Sequence, residues 1–359
     1  MPRLFGSDVT RAELRKRVGD VRQLCHVRST EHSDGPERGT RLLDVTTGGG
    51  LAFSLLPDRG LDVGDARFEG IPLAWLSPTG PVHPGRFEPE GLGWLRGFHG
   101  GLLTSCGLSN VGGPGEDEGE TLGLHGRLSF SQARNVCVNE GWDGDEYRMR
   151  VHGTLREAAV FGPDLEVRRT WSTSLGSSQV ALDDVVSNLG HATRPLMLLY
   201  HMNFGWPLVS ETTELIAPPC EDVPRDDDAA NGAQRSRAFE GPTAGRPEEV
   251  FYRDIPADDA GWSHVALVNR ELPSRPLGVH LSFRKDGLPI LVQWKMMGAG
   301  LYVCGLEPSN CRVGGRAAER ERGALRSIEP GASRTFALRI RVVSSAAEID
   351  SLVATIARG

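Results

Sequence analysis

Alternation of polar and apolar side chains with a period of two runs through most of this sequence and constrains its fold more than any other feature. β-Branched and aromatic residues fill these segments, and Gly, Pro and Asp bound them. Because successive side chains of a strand point to opposite faces of a sheet, this pattern predicts half-buried strands and an all-β protein. The clearest predicted strands cover residues 41–47, 51–56, 147–155, 165–174, 179–188, 195–203, 277–284, 289–294 and 335–343.

Helical periodicity is confined to the two ends of the chain. Residues 10–19 are rich in charged helix formers, and residues 344–357 carry one apolar stripe, so both are predicted to be short helices. The chain has 359 residues, and β sandwiches and barrels often exceed the average domain length as single units. We therefore predict one domain over residues 1–359, with its core at about 42–343.

Two kinds of connection stand out between the predicted strands. The runs 187–190 and 285–287 contain Asn, Asp and Gly, which tolerate positive φ, so each is predicted to join neighbouring strands tightly. Residues 218–259 differ, because they are rich in Asp, Pro, Gly and Ala and show little periodicity. Such a composition is typical of a functional loop or a solvated insertion, and a long loop or insertion is expected here.

The charge balance excludes some classes of partner. The net charge is −7, and no stripe of Lys and Arg is present that would neutralise phosphates, so nucleic acid is not an expected partner. The first residues lack the apolar segment of a signal peptide, and no apolar run is long enough to cross a bilayer. We expect a soluble, cytoplasmic protein with no membrane partner.

The first two candidate site segments combine ionisable residues with turn-forming glycines. Arg59 lies at the tip of the turn 57–62, where its donors could hold hydroxyls or a carboxylate; a salt bridge to Asp58 or Asp62 is the alternative. Two His-Gly pairs follow, one at His99 and one at His125, the latter close to Arg127. Glycines at these places indicate a close backbone approach, and at least one histidine is predicted to point into a pocket.

Two further candidate segments lie at the ends of apolar strands. His201 and Asn203 are two residues apart and share one strand face, where both need polar partners if buried; a satisfied structural histidine is the alternative. The apolar run 301–306 ends in Glu307, followed by a proline. A carboxyl group in that position is predicted to have a raised pKa and to act as a base, unless it pairs with Arg312 or Lys295.

In this order, these segments resemble those of the aldose 1-epimerase (galactose mutarotase) superfamily, and within it a branch of aldose-1-epimerase-like proteins. The resemblance extends from about Leu42 to Val343. Each motif is moderately specific alone and more specific as part of the set. The motifs are Gly100-Gly101-Leu102-Leu103 to Cys106-Gly107-Leu108, Leu124-His125-Gly126-Arg127, Tyr200-His201-Met202-Asn203-Phe204-Gly205 and Leu306-Glu307-Pro308.

The resemblance implies a galactose-mutarotase-like β-supersandwich, in which two large antiparallel sheets curve around a sugar-binding cleft. It also implies that Glu307 takes the proton from the anomeric hydroxyl, that His201 protonates the ring oxygen, and that His125 and Arg59 hold hydroxyls. Opening a hemiacetal ring needs such an acid and base on one small ligand, and no cofactor is required. The further candidates for substrate binding are His99, Arg127, Asn203, Asp254 and Trp294.

Departures from the family pattern leave alternatives open. The family usually has an aspartate that holds a sugar hydroxyl, and Asp254, with Glu249 shortly before it, is the best candidate here. Besides an isomerase acting on a hexose or modified sugar, the sequence allows a lyase or isomerase of oxidised sugars, in which four residues hold a divalent metal. It also allows a sugar-binding protein without turnover. A monomer or a homodimer is expected. The four residues that would hold the divalent metal in the lyase or isomerase alternative are His99, His125, His201 and Glu307.

Overall fold

Strands make up most of the regular structure in this computed structural model, which describes residues 1–357. Strands β1 to β13 are Arg3–Leu4, Ser7–Asp8, His26–Glu31, Arg41–Thr46, Leu51–Leu56, Asp62–Phe68, Ile71–Pro72, Leu103–Leu108, Gly115–Asp117, Glu120–Leu122, Arg134–Asp143, Glu146–Ala158 and Asp164–Ser174. Strands β14 to β25 are Gln179–Asn188, Arg194–Pro195, Met197–Gly205, Thr213–Ile216, Val223–Pro224, Glu249–Arg253, Trp262–Asn269, Leu277–Arg284, Ile290–Gly298, Leu301–Ser309, Ser327–Ile328 and Ser333–Val343.

The helices are few and short. The α-helices are α1 (Arg11–Arg15), α2 (Asp227–Gly232), α3 (Arg316–Glu321) and α4 (Ala346–Ala357). Single turns of 3-10 helix occur at Val21–Gln23, Pro84–Arg86, Gly93–Gly97, Leu128–Phe130 and Ala233–Arg235. None of the helices within residues 1–357 combines the length and hydrophobicity that a membrane span requires.

Two large antiparallel sheets form the body of the protein. The first sheet has 11 strands in the order β18-β19-β22-β23-β16-β8-β6-β5-β4-β3, with β7 paired to β6. The second sheet has eight strands in the order β11-β12-β13-β14-β25-β21-β20-β17. All the strands predicted from the sequence are present within these two sheets, so the prediction of an all-β sandwich is confirmed.

The main apolar core lies between the two sheets. On β16, Leu198, Tyr200, Met202 and Phe204 pack into the same buried cluster as Val167 and Leu281 of the second sheet. Because side chains alternate along a strand, the residues between them face away from the core. The first sheet therefore has a core face and an outer face, and His201 lies on the outer face.

A buried polar network crosses the core and joins the sheets. Arg169 on β13 pairs with Asp62 on β6 at 2.5 Å and with Asp184 on β14 at 2.7 Å. The Tyr200 hydroxyl donates to Asp184 at 2.7 Å. The buried guanidinium gives each of the two carboxyl groups a cationic partner, which reduces the cost of placing them in a low-dielectric interior.

The terminal helices are both present, although the first is shorter than predicted. Helix α1 covers only Arg11–Arg15, where Thr10 and Glu13 cap each other's backbone N–H groups. Helix α4 places Ile349, Leu352 and Ile356 against an apolar patch of the second sheet. The stripe of residues predicted for this helix therefore is its buried face.

The prediction of a long loop over residues 218–259 is wrong for part of that segment. Strand β19 (Glu249–Arg253) pairs with β22 along its whole length, and all five of its residues are buried. Its alternation is hidden because both faces are covered and because Glu249 and Arg253 are buried as ion pairs with Arg246 and Asp222. The segment also contains β18 and α2.

Candidate functional site

A cavity of about 320 Å³ opens on the outer face of the first sheet. This volume lies within the range of small-molecule pockets, roughly 300–1,000 Å³. Its polar lining residues are His125, His201, Arg225, Glu248 and Glu307, and its aromatic lining residues are Trp94, Phe98 and Trp294. It brings together four of the residues predicted from the sequence: Glu307, His201, His125 and Trp294.

Strand register places Glu307 and His201 side by side at the bottom of the cavity. Strands β16 and β23 are antiparallel neighbours, and the register that pairs Met202 with Leu306 brings the preceding residue, His201, opposite the following residue, Glu307, on the outer face. The His201 Nε2 and Glu307 Oε1 atoms are 3.2 Å apart, and both side chains are almost completely buried. The contact is close but is not aligned as a hydrogen bond: the Glu307 Oε1 atom has no hydrogen-bond partner among the described residues.

Burial changes the pKa values of this pair in opposite directions. The pKa of Glu307 is raised well above its ordinary value by burial and by the nearby Glu248 carboxylate, with a smaller opposing effect of Arg225. The pKa of His201 is lowered well below its ordinary value by burial and by His125, with Asn203 opposing the shift. Both shifts favour the neutral forms, so the pair holds one proton between a carboxyl group and an imidazole.

His125 is fixed by backbone contacts beside the pair. Its Nδ1 accepts from the Gly112 N–H at 3.2 Å, so the neutral ring carries its proton on Nε2. Burial lowers the pKa of His125 to about 4. The residue adopts a φ of 57°, and it is followed by Gly126, where a Cβ would lie 2.4 Å from the Gly107 carbonyl oxygen. The prediction of a close backbone approach at this His-Gly pair is confirmed.

Aromatic rings surround His201 on the walls of the cavity. The ring centroids of Phe98 and Trp294 lie 5.1 Å and 5.3 Å from that of His201. Trp94 packs on Phe98 and on His125, with centroid distances of 4.4 Å and 4.7 Å. These rings exclude water from the pair and offer flat apolar surfaces to a ligand.

Arg225 and Glu248 line the cavity and were not predicted from the sequence. Their side chains form an ion pair at 2.9 Å, and Glu248 also accepts from the Trp294 indole N–H at 2.8 Å. Both residues belong to the segment that was expected to be a loop or insertion. Because buried charged residues hide the alternation of β19, no local pattern in the sequence placed Glu248 beside Val250 in the cavity.

Arg59 does not reach the cavity, which corrects its predicted role as a hydroxyl clamp. It is buried, and its guanidinium donates to the carbonyl oxygens of Ser129, Val82 and Gly97 at 2.8–2.9 Å. Burial lowers the pKa of Arg59 to about 10. The alternative of a salt bridge to Asp58 or Asp62 is wrong as well, since Asp58 pairs with Arg41 and Asp62 pairs with Arg169.

Asp254 and Arg127 do not line the cavity either. Asp254 follows the end of β19, where its side chain is 87% exposed and pairs with Lys285. Arg127 is exposed, and its guanidinium lies over the ring of Phe87 at 5.9 Å. Both predicted substrate contacts are therefore corrected, because the Asp254 side chain pairs with Lys285 and the Arg127 side chain lies against Phe87 instead of lining the cavity.

His99 and Asn203 are buried next to the cavity but do not line it. The Asn203 amide donates to the carbonyl oxygens of Gly101 and His201, so it holds the backbone at His201 in place. Both ring nitrogens of His99 lack a hydrogen-bond partner among the described residues, and burial lowers its pKa well below the ordinary value. Their direct contact with a ligand, as predicted, is not supported by this placement.

Residues 1–357 contain no convergent group of three or more His, Cys, Asp or Glu side chains of the kind that holds a metal ion. The four residues considered as metal ligands are therefore not arranged as one set, because His99 lies outside the cavity.

A second, wider groove of about 710 Å³ lies on the second sheet, over Arg148, Arg150 and Ser172. Its lining residues include no aromatic side chain and none of the predicted site residues.

Comparison with solved structures agrees with this architecture. A candidate aldose 1-epimerase from Klebsiella pneumoniae superposes with a TM-score of 0.87 at 28% identity, covering 92% of this chain and 87% of that chain. A galactose mutarotase-like protein from Clostridium acetobutylicum gives a TM-score of 0.58 at 14% identity, over 90% and 99%. A galactose 1-epimerase from Lactobacillus acidophilus gives 0.56 at 11% identity, over 89% and 99%.

The latter two structures share only the fold with this chain. No curated protein matches the sequence. The profile of a domain of unknown function, DUF4432, matches residues 37–342. The chain therefore belongs to the DUF4432 family and has the galactose mutarotase-like sandwich fold.

Proposed function

We propose that this protein is an aldose 1-epimerase-like isomerase that interconverts the anomers of a hexose or modified sugar. The observation that carries the proposal is the Glu307–His201 pair, 3.2 Å apart at the bottom of a cavity with aromatic walls. An acid and a base that share one proton at one small ligand are what opening of a hemiacetal ring requires.

In the proposed reaction, the unprotonated member of the pair removes the proton from the anomeric hydroxyl while the protonated member protonates the ring oxygen. Burial favours a protonated Glu307 and a neutral His201, so His201 would act first as the base and Glu307 as the acid, the reverse of the roles that the resemblance implies. The bond between C1 and the ring oxygen breaks, and C1 becomes an aldehyde carbon. After rotation about the C1–C2 bond, the reverse proton transfers close the ring to the other anomer. Atoms and protons balance without a metal or an organic cofactor.

Three other parts of the cavity would bind the sugar. The Nε2–H group of His125 can donate to a hydroxyl, since its Nδ1 is already used by the backbone. The Arg225–Glu248 ion pair offers both donors and acceptors. It would make the contacts with sugar hydroxyls that were first expected of Arg59 and Asp254. Trp294 and Phe98 provide apolar surfaces against which the C–H face of a pyranose packs.

Exchange NMR of aldose anomers tests the proposal directly. Wild-type protein is expected to accelerate exchange of at least one sugar in a panel of aldoses and modified sugars. The Glu307→Gln variant is expected to lose roughly 10²–10⁴-fold of this activity, because it can neither accept nor deliver the proton.

The matched control is Asp254→Asn, which removes an exposed carboxylate outside the cavity and is expected to leave the exchange rate unchanged. Unchanged exchange in Glu307→Gln removes this residue from the mechanism. Sugar binding by the wild type without faster exchange than in buffer identifies a sugar-binding protein instead.

A further inference from the structure

The cavity that holds the Glu307–His201 pair changes character from its bottom to its mouth. Glu307 and His201 are only 2% and 5% exposed. Leu92 and Leu95 line the same cavity and are 60% and 48% exposed. This gradient of exposure places the proton-transfer groups at the bottom and two apolar side chains, the leucine pair, at the mouth.

Local backbone geometry directs both members of the leucine pair to the same side. They flank Trp94 at the start of the 3-10 turn Gly93–Gly97, and the Leu95 N–H donates to the Leu92 carbonyl oxygen at 3.1 Å. In a 3-10 turn, side chains three residues apart lie above one another. Trp94 is buried between them, and its indole N–H donates to the Ser129 hydroxyl oxygen at 3.1 Å. The turn is therefore anchored through Trp94 and presents the leucine pair to a ligand.

Polar groups near the leucine pair are few. Within residues 1–357, the lining of the cavity includes no Ser, Thr, Tyr, Asn, Gln, Asp or Lys side chain. Besides the proton-transfer pair, only His125 and the Arg225–Glu248 ion pair offer side-chain hydrogen bonds to hydroxyls, since the indole N–H of Trp294 is taken by Glu248. A hydroxyl buried at the apolar wall would lose its bonds to water without a replacement. Further apolar lining residues are Pro114, Leu124, Val250, Val292 and Val313.

The charges beside the cavity disfavour an acidic ligand. Arg225 is the one Lys or Arg side chain in the part of the lining that residues 1–357 form. Its guanidinium pairs with Asp226 at 2.6 Å as well as with Glu248 at 2.9 Å. Two carboxylates around one cation leave a net negative charge, which repels a carboxylate or phosphate group on a ligand. An uncharged sugar is therefore favoured over a sugar acid or a sugar phosphate.

We propose that the substrate of this site is an uncharged aldose with an apolar substituent, such as an O-methyl group, on the ring edge opposite the anomeric carbon. This substrate class rests on the isomerase activity proposed above. The pair at the bottom must reach O1 and the ring oxygen, so the C3–C4 edge of a pyranose points to the mouth. An apolar group on that edge covers Leu92 and Leu95, and removal of apolar surface from water favours binding.

Exchange NMR with matched pairs of sugars tests this specificity. D-Glucose, D-galactose and D-mannose are each compared with their 3-O-methyl derivative, so that a pair differs only in the substituent. In every series in which exchange is accelerated, kcat/KM is expected to be roughly 10–200-fold higher for the 3-O-methyl sugar, the usual effect of a small apolar group in an apolar pocket. The uronic acid of the same series is expected to be roughly tenfold or more poorer than the parent hexose.

Variants of the leucine pair locate the source of the preference. The double variant Leu92→Asn/Leu95→Asn places amides at the mouth and is expected to bring the ratio of kcat/KM values within a pair close to one. Leu189→Asn alters a leucine that is 45% exposed outside the cavity, and it is expected to keep the wild-type ratio. Because the ratio compares two sugars on one protein, a smaller fraction of folded protein in a variant does not change it.

The outcomes separate this substrate class from the isomerase activity itself. Equal kcat/KM for both members of every exchanged pair overturns the substrate class and leaves the isomerase proposal intact. The same holds if the preference persists in the double variant, or if a uronic acid exchanges faster than its parent hexose. Exchange no faster than in buffer with every sugar overturns the isomerase proposal, and the substrate class with it.

Discussion

Glu307 and His201 are two ordinary side chains whose acid–base properties come from burial on one sheet face. A Glu at the end of an apolar strand was predicted to have a raised pKa, and the structure confirms the direction and the cause. The opposite shift of His201 was not foreseen, because its lowered pKa depends on burial under rings from distant segments. The single-proton state of the pair follows from both shifts together.

The pH profile of kcat/KM checks these two shifts. Activity requires one proton on the pair, so it is lost when a second proton is added at low pH or when the last proton leaves at high pH. The acidic limb reflects addition of that second proton to the pair, in which burial holds the pKa of His201 well below its ordinary value of about 6.5. We therefore expect kcat/KM to remain flat from pH 7 to pH 6; a decline that begins near pH 6.5 would show an unshifted imidazole.

The side-chain alternation and the register of the strands determine which residues come into contact. The alternation on β16 and its register with β23 bring one histidine and one glutamate together from residues more than a hundred positions apart. The same alternation on β13 directs Arg169 into the core and leaves its neighbour Arg168 in solvent. A one-residue change of register would exchange these environments.

The Arg169→Ala variant tests the buried network at this level. Removing the guanidinium leaves Asp62 and Asp184 as unpaired buried carboxyl groups, which typically costs about 3–5 kcal/mol. We expect the free energy of unfolding, measured with urea, to fall by that amount. Arg168→Ala on the same strand is the matched control and is expected to change it by less than about 0.5 kcal/mol. Equal effects of the two substitutions would mean that the network does not hold the sheets together.

The connection at residues 285–287 shows the limit of local patterns. It was predicted to join neighbouring strands, but β21 belongs to the second sheet and β22 to the first. The turn therefore carries the chain across the sandwich. Residues that tolerate positive φ allow a sharp change of direction and do not specify which sheet the next strand joins.

Burial of neutral histidines affects the stability of the whole molecule. The pKa of His125 is about 4 in the folded protein, compared with about 6.5 expected in the unfolded chain. As the pH falls below 6.5, the unfolded chain binds the proton first, so the free energy of unfolding decreases until the pH reaches the folded value. His99 and His201 shift in the same direction.

Comparing the wild type with His125→Gln isolates one of these contributions. Glu307 and Asp62, whose raised pKa values act in the opposite direction, are present in both proteins. Between pH 7 and pH 5 the wild type is expected to lose up to about 2 kcal/mol more stability than the variant, as measured by urea unfolding. His191→Gln serves as the control and should retain the wild-type dependence. Parallel curves for wild type and His125→Gln would refute a lowered pKa of His125 in the folded protein.

The sequence by itself determined the all-β class, most of the strands, the apolar face of α4 and the motifs at His125, His201 and Glu307. These features depend on local periodicity, which each segment carries alone. Only the tertiary structure decided that Arg59 supports loops, that Asp254 faces solvent, and that Arg225 and Glu248 enter the cavity. The physical reason is that a polar side chain binds whatever lies across from it, and strand order and loop packing set that neighbour.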